Sequence, residues 1–503
     1  MRDKYSSNTS HVSFPDISNS VWMAAFLIGV FLLFIRLPML ALPSTDDMQA
    51  LYATFVLQSD NQSWVAHPNI AQSRILIAAP LAILDALHFP NFLLAVAAYF
   101  ANAFLLPTLV ALTLWTINRS LGCVTLVALT AFSSFHPGLA EAEHFWLIRF
   151  NLTIAYIAMI VFVISWAKFP KWRLVSTGVM IAIVGFSYQG YINIALVLLT
   201  LLAAAEISDQ NKPAKSVLIQ LLAAAAGVIG GILVLALTLK IVQHFGAAWV
   251  EYFEPLPAGQ ILSKIARVFG FYTKVLYGDF GFPNIPTGTV IMWLVGVTVV
   301  LGLSIHFRLR RSIAAIFVIF GITLAAMQLP SLPFHQQFYA LRAYPQIYLG
   351  LAGLIAISFT GSRPKIFTSI RGITSLSLAM IALLSTIWVS VGFAVTRYYD
   401  FKNAERLVSL LDDEKFAWDK PIAVGYGGWD SWKYWVRGNT NSMEPILSAT
   451  WSAHYLIGFV ANRPVTAPDA SQQEKAESYC KSIRGARPKT AVSDQGDFMA
   501  LCL

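Results

Sequence analysis

Apolar runs of about 20 residues recur along most of this 503-residue chain, and they limit the fold more than any other feature. A helix of that length covers the roughly 30 Å hydrocarbon core of a bilayer. Inside that core every backbone N–H and C=O must find its partner within the segment, which a helix provides. The runs lie at 21–42, 93–117, 121–135, 151–167, 174–188, 191–205, 217–242, 290–306, 313–327, 347–359 and 373–395. The expected fold class is therefore a polytopic α-helical membrane protein with about 11 transmembrane helices. Composition agrees: 57% of residues are hydrophobic and 12% charged, with mean hydropathy +0.62, whereas soluble domains carry roughly a quarter charged residues. A string of soluble domains, a disordered chain, collagen and a coiled coil are excluded.

Loop charge sets the orientation. The first run holds one charge, Arg36, near its far end, where a long side chain can snorkel to the interface. It follows a polar start and precedes no small-residue cleavage site, so it reads as a retained helix rather than a signal peptide. The run 75–87, ending at His88 and Pro90, is short for a span and reads as interfacial or re-entrant. With that choice and a cytoplasmic N-terminus, every inner turn is basic: Arg119; Lys168, Lys171 and Arg173; Lys212 and Lys215; Arg308, Arg310 and Arg311; Arg363, Lys365 and Arg371. The outer loops, 43–92, 136–150, 243–289 and 330–346, hold isolated bases. The net charge of +9 is then orientation signal and headgroup contact, and nucleic acid is not an expected partner.

This layout gives a cytoplasmic tail over 1–20, a membrane domain over 21–396 and an extracytoplasmic C-terminal domain over 397–503. The last part reads as a small α/β unit, with an amphipathic helical start from Phe401 and a strand-like Ile422-Ala-Val-Gly-Tyr426 before a Gly-Gly turn. Cys123 lies within a span. Cys480 and Cys502 both lie in the tail, at a spacing that permits a disulfide worth a few kcal/mol in an oxidising compartment; two unrelated thiols are the alternative.

The sequence shows no phosphate loop, dinucleotide fingerprint or metal-ligand spacing, so no cofactor is expected, with dependence on a metal left open. Its unusual residues crowd the outer ends of the spans. Asp46 and Asp47 follow the first run in Pro43-Ser-Thr-Asp-Asp47, and the same loop continues to Trp64 and Arg74. Thr45 or Asp46 can simply cap the next helix; the chemical alternative is a general base with a partner carboxylate. A second outer segment, His136 to Arg149, sets Glu141, Glu143, His144 and Arg149 at the mouth of a span, either as an interfacial helix or as a site. A guanidinium drawn in at such a position needs a carboxylate or phosphate. Arg342 has the same placement at another span. Tyr188-Gln189 forms a turn on that side, and the stretch 260–277 is amphipathic, with Lys264, Arg267 and Lys274 suited to anionic headgroups or a lipid phosphate.

These motifs together resemble the Gtr-type O-antigen glucosyltransferases of serotype-conversion loci, members of the GT-C class of polytopic membrane glycosyltransferases. The resemblance covers 21–359 and rests on several short motifs: the acidic pair Asp46-Asp47, the turn Tyr188-Gln189, and the loop arginines Arg149 and Arg342. The chain departs from the family pattern at Ser73-Arg74, where Gly-Arg is usual, and at Asn151, where an acid is usual. The resemblance implies a bacterial inner-membrane enzyme that takes a sugar, glucose in the family, from a polyprenyl-phosphate donor. It delivers the sugar to a hydroxyl of O-antigen, lipopolysaccharide or a related envelope glycan on the periplasmic face. It also implies separate enzymes that make and flip the donor. Asp46 or Asp47 would be the base. Arg74, Arg149, Arg342, Tyr188 and Gln189 would hold the donor phosphate and substrate; Glu143, His144, Lys264 and Arg267 join them as candidates from their placement in the outer loops.

Two other classes share parts of the pattern. A flippase for lipid-linked oligosaccharide suits about eleven spans, but such transporters favour repeats and ionisable groups near the midplane. An O-antigen polymerase or ligase shares the lipid-linked substrates and differs in the mass added to the product.

Overall fold

The computed structural model describes residues 18–37, 48, 56, 91–144, 146–244, 256–277, 286–305, 308–326, 344–359, 365–413, 418–425, 446–448, 452–483 and 491–502. Thirteen helices in these segments precede the first strand: α1 Asn19–Ile35, α2 Asn91–Ile117, α3 Cys123–Ser134, α4 Pro137–His144, α5 Trp146–Lys168, α6 Arg173–Ser187, α7 Ile192–Ser208, α8 Ala214–His244, α9 Ala258–Tyr277, α10 Thr287–Ile305, α11 Leu309–Ala326, α12 Gln346–Ser358 and α13 Lys365–Asp413. Seven of the described helical segments are long and apolar enough to cross a bilayer: Leu93–Ile117, Ile148–Lys168, Gln189–Ser208, Ala214–Ile241, Thr287–Ser304, Leu309–Ala326 and Ser369–Asp413. The chain is thus polytopic and helical.

The other four expected spans are helices of 17, 12, 15 and 13 residues, namely α1, α3, α6 and α12. At 1.5 Å per residue, α3 and α12 reach only about 20 Å, short of the hydrocarbon thickness. Burial accounts for this. All of α12 and most of α3 are enclosed by other helices, so protein rather than lipid surrounds them. The helix α12 is the hub, touching α2, α3, α7, α10 and α11. By contrast α8 is mostly exposed and presents Leu222, Leu233 and Leu237 outward, as a lipid-facing helix must.

Helices approach one another at small residues. Pro107 in α2 cannot donate to the carbonyl of Ala103. Gly29 of α1 lies against that carbonyl: an added Cβ would stand 3.0 Å from the oxygen and 2.4 Å from the Phe104 ring. The α6–α8 crossing is closer still. Gly227 and Gly231, one turn apart, face Gly178, and a Cβ on Gly227 would lie 2.5 Å from the Leu174 carbonyl oxygen. Small residues four apart let two backbones meet in lipid, where packing rather than the hydrophobic effect joins helices.

The turns grouped as inner by their charge meet at one end of the bundle. Asn118 donates to the Ala356 carbonyl at 2.8 Å. Arg173 stacks over Trp166 and donates to Glu206 at 2.9 Å, and Glu206 also takes Lys212. Arg310 donates to the carbonyls of Asp209 and Lys212 at 3.0 and 2.8 Å. We call this the basic end. The opposite helix ends also meet one another: Tyr99 donates to the Leu33 carbonyl at 2.6 Å, and Thr386 of α13 donates to the Phe135 carbonyl.

The helix α13 runs 49 residues, roughly 70 Å, so it cannot be enclosed in one bilayer core. It is unbroken through 397, the expected domain boundary, and the helix anticipated from Phe401 is its continuation. Beyond it lie β1 Ile422–Gly425, α14 Ala453–Ala461, α15 Ala470–Ser482, β2 Ala491–Asp494 and β3 Met499–Cys502. Strand β3 is central, parallel to β1 with Ile422 opposite Met499 and antiparallel to β2 with Ala491 opposite Cys502. Asp469 and Gln472 form a capping box at the start of α15. Cys480 of α15 and Cys502 of β3 are joined by a disulfide.

One apolar cluster unites this segment: Leu407 and Leu411 of α13, Ile422 and Val424, Leu456 and Ile457, Met499 and Leu501. It also contains Met48, fully buried, which follows α1 in the chain. Beside it Arg397 and Asp400 pair at 2.8 Å, and Asp400 accepts the Ile446 N–H at 2.9 Å.

Candidate functional site

The end of the bundle opposite the basic turns collects buried polar groups. Arg36 closes α1 with 1% exposure and donates to the Ser134 carbonyl at 2.8 Å. This corrects the expectation that it reaches for the interface: the carbonyl groups at the end of α3 lie nearer than water, and a guanidinium satisfies an orphan helix carbonyl well. His136 follows α3 directly. It is enclosed, accepts the Gly138 N–H on Nδ1 at 2.9 Å, and stands edge-on to Tyr348, which stacks on Phe132. Burial, then the charge of Arg36, pushes its pKa down from 6.5 to about 3. His136 is therefore neutral near pH 7 and is a packing and hydrogen-bonding group rather than a proton carrier. Because the unfolded imidazole binds a proton more readily, stability should fall as pH drops from about 6.5 toward 3. Thermal unfolding of the wild-type protein should shift across that window more than that of His136→Asn.

Arg149 lies in the first turn of α5, also 1% exposed. Its guanidinium covers the Tyr99 ring at 5.5 Å, and its backbone carbonyl accepts Asn102 Nδ2 at 3.0 Å. Thr153 donates to Asn102 at 2.8 Å, so α2 and α5 are stitched together just beneath it. The expected loop 136–150 is in fact mostly helical: Glu143 and His144 belong to α4, with their side chains outside the described residues. Tyr188 ends α6 and Gln189 opens a single 3₁₀ turn, Gln189–Tyr191. Tyr188 packs edge-on against Tyr191, whose hydroxyl meets that of Tyr156 at 3.3 Å.

The amphipathic helix expected over 260–277 is α9. Lys264 is buried at 1% exposure, whereas Arg267 and Lys274 face outward. Phe271 packs on Tyr344 at 5.3 Å, which ties α9 to the start of α12. Leu276, Met292, Ile347, Tyr348 and His136 line a small cleft at the same place. Burial, helped by Arg267, lowers the Lys264 pKa from 10.5 to about 8.

The structure thus brings Arg149, Tyr188, Gln189 and Lys264 to one end of the bundle. Asp46, Asp47, Arg74 and Arg342 lie outside the described residues. Sequence reasoning missed Arg36, His136, Tyr344 and Tyr348 as members of the cluster. The last two had a signal, a pair of tyrosines at the mouth of an apolar run. Among the described residues no group of three or more His, Cys, Asp or Glu is placed to hold a metal.

No protein-family model matches the chain, and no curated protein sequence matches it.

Proposed function

We propose that the chain is a membrane glycosyltransferase of the GT-C class, with about eleven spans, the basic end in the cytoplasm and the opposite end, with the C-terminal α/β segment, in the periplasm of a bacterial inner membrane. The observation that carries this reading is the burial of two cations, Arg149 at the start of α5 and Lys264 on α9, on helices away from the basic turns. The positive-inside rule gives a reason for the basic turns; it gives none for cations away from them. They suit a phosphate held at headgroup height, as on a polyprenyl-phosphate sugar whose tail lies in the bilayer.

In the proposed reaction a hydroxyl of the acceptor glycan attacks the anomeric carbon of the donor sugar. The new carbon–oxygen bond forms as the bond from that carbon to the phosphate oxygen breaks, and the electron pair leaves on polyprenyl phosphate. Asp46 or Asp47 takes the hydroxyl proton, and the neighbouring cations stabilise the charge growing on the phosphate. Direct displacement inverts the anomeric centre.

Reconstitution with polyprenyl-phosphate glucose and cell-envelope glycolipid tests this. The expected product gains one hexose. Gain of a whole repeat unit indicates a polymerase or ligase, and donor crossing the bilayer without any product indicates a flippase.

Lys264 gives a second test. Since it is charged below pH 8 and loses its proton above, kcat/KM for the donor should decline as pH rises through about 8. Arg in its place stays protonated, so Lys264→Arg should carry activity past that limb. An unchanged alkaline limb in the variant rules Lys264 out as its source.

A further inference from the structure

The basic end holds a feature that neither orientation nor transfer chemistry explains. Helix α11 starts at Leu309 with Arg310 and Arg311 in its first turn, Arg308 just ahead, and no acid in that turn. A helix N-terminus already carries about half a positive charge and exposes unbonded N–H groups, so three guanidinium groups there repel it and each other. Two of them meet only neutral oxygens. Arg308 donates to the Gln210 side chain at 3.2 Å, and Arg310 donates to the backbone carbonyls of Asp209 and Lys212. The nearby carboxylate of Glu206 is occupied by Arg173 and Lys212.

Arg311 is the telling residue. It is 3% exposed, and its Nη1 is buried with no hydrogen-bond partner among the described residues. An N–H withdrawn from water without an acceptor is destabilising, and more so when it carries charge. The rule that cytoplasmic turns are basic places arginine at this end of the membrane, but such residues gain by facing water and headgroups, not by being enclosed. An anion with several acceptor oxygens would relieve all of this together. It would supply Arg311, offset its neighbours and take the free N–H groups of the helix end. Arg308 and Leu309 are exposed, so the place is open from outside the bundle.

We infer that the N-terminus of α11, with Arg308, Arg310 and Arg311, is a binding site for a phosphate group, presented by an anionic phospholipid of the leaflet at the basic end. Height favours the lipid source: α11 is long and apolar enough to cross a bilayer, and a crossing helix sets its first turn at the level of headgroup phosphates. The site is distinct from the proposed donor site, which lies at the other end of the bundle.

The full chain, purified in neutral detergent, is titrated in parallel with phosphatidylglycerol, phosphatidylcholine and inorganic phosphate, reading thermal unfolding and bound lipid by native mass spectrometry. Phosphatidylglycerol should raise the unfolding midpoint and remain bound, phosphatidylcholine should not, and Arg311→Gln should weaken retention about tenfold, the loss of one charge-assisted bond pair. Arg308→Gln, at an exposed position, guards against a folding defect in the first variant and should weaken retention about threefold. If inorganic phosphate stabilises the wild type as well as the lipid does, and Arg311→Gln abolishes that, the phosphate site stands and its ligand is soluble. Equal stabilisation of wild type and both variants by every ligand overturns the site.

Discussion

Replacing Asp46 and Asp47 together by Asn should slow sugar transfer by about 10²–10⁴-fold while leaving the protein folded, because a positioned base contributes about that much. An acceptor hydroxyl has a pKa far above neutrality and attacks well only while its proton is being removed. Asn keeps the size and hydrogen bonds of Asp but cannot take a proton. If these residues only cap a helix, Asn caps as well as Asp, and the loss should be a few tenths of a kcal/mol in stability with no change in rate. The two accounts therefore diverge in the rate and not in the fold. Single variants assign the role: the base position should show nearly the whole loss in kcat, and its partner a smaller one. A double variant that transfers sugar at the wild-type rate removes the base from the mechanism.

Substitution of Gly227 by Leu should destroy the folded protein, whereas Gly230→Ala, three residues on in the same helix, should be tolerated. At Gly227 the first added carbon would lie 2.5 Å from a backbone oxygen of α6 and 2.8 Å from Thr177 Cβ, and neither can rotate away. The helices would have to separate along the whole crossing, at a cost at or above the ~1–3 kcal/mol of ordinary overpacking. Gly230 has nothing within 4 Å, so the methyl group of Ala enters open space there and helix propensity improves by about 1 kcal/mol. Size-exclusion profiles of heated samples distinguish these outcomes. Gly227→Leu with a wild-type profile would mean that the α6–α8 crossing is looser than described.

Much of the bundle was legible because lipid imposes a length and an apolar composition that a single chain displays openly. The runs at 93–117 and 290–306 correspond within a few residues to α2 and α10, and the amphipathic stretch at 260–277 to α9. Strand β1 was legible as well, at Ile422 to Gly425. What a linear pattern does not contain is the identity of the neighbour. Arg36 looked like a residue reaching for water because nothing in 21–42 reveals that Ser134, 98 positions away, offers a carbonyl. His136 looked like one more charge-capable residue in a loop. Its enclosure depends on Tyr348, and so its inert imidazole could not be foreseen. Strands β2 and β3, four residues each, are too short to announce themselves; β3 is a strand because β1 and β2 flank it. The short helices α3 and α12 were read as ordinary spans, since being surrounded by protein leaves no mark on hydropathy.

The seating of Met48 has a consequence for biosynthesis. This side chain is translated long before Met499 and Leu501, which belong to the cluster that receives it. Met48 cannot take this place until strand β3 has been laid down. A nascent chain that stops short of β3 would thus carry Met48 without the apolar surface that covers it, an exposed side chain until synthesis reaches that strand.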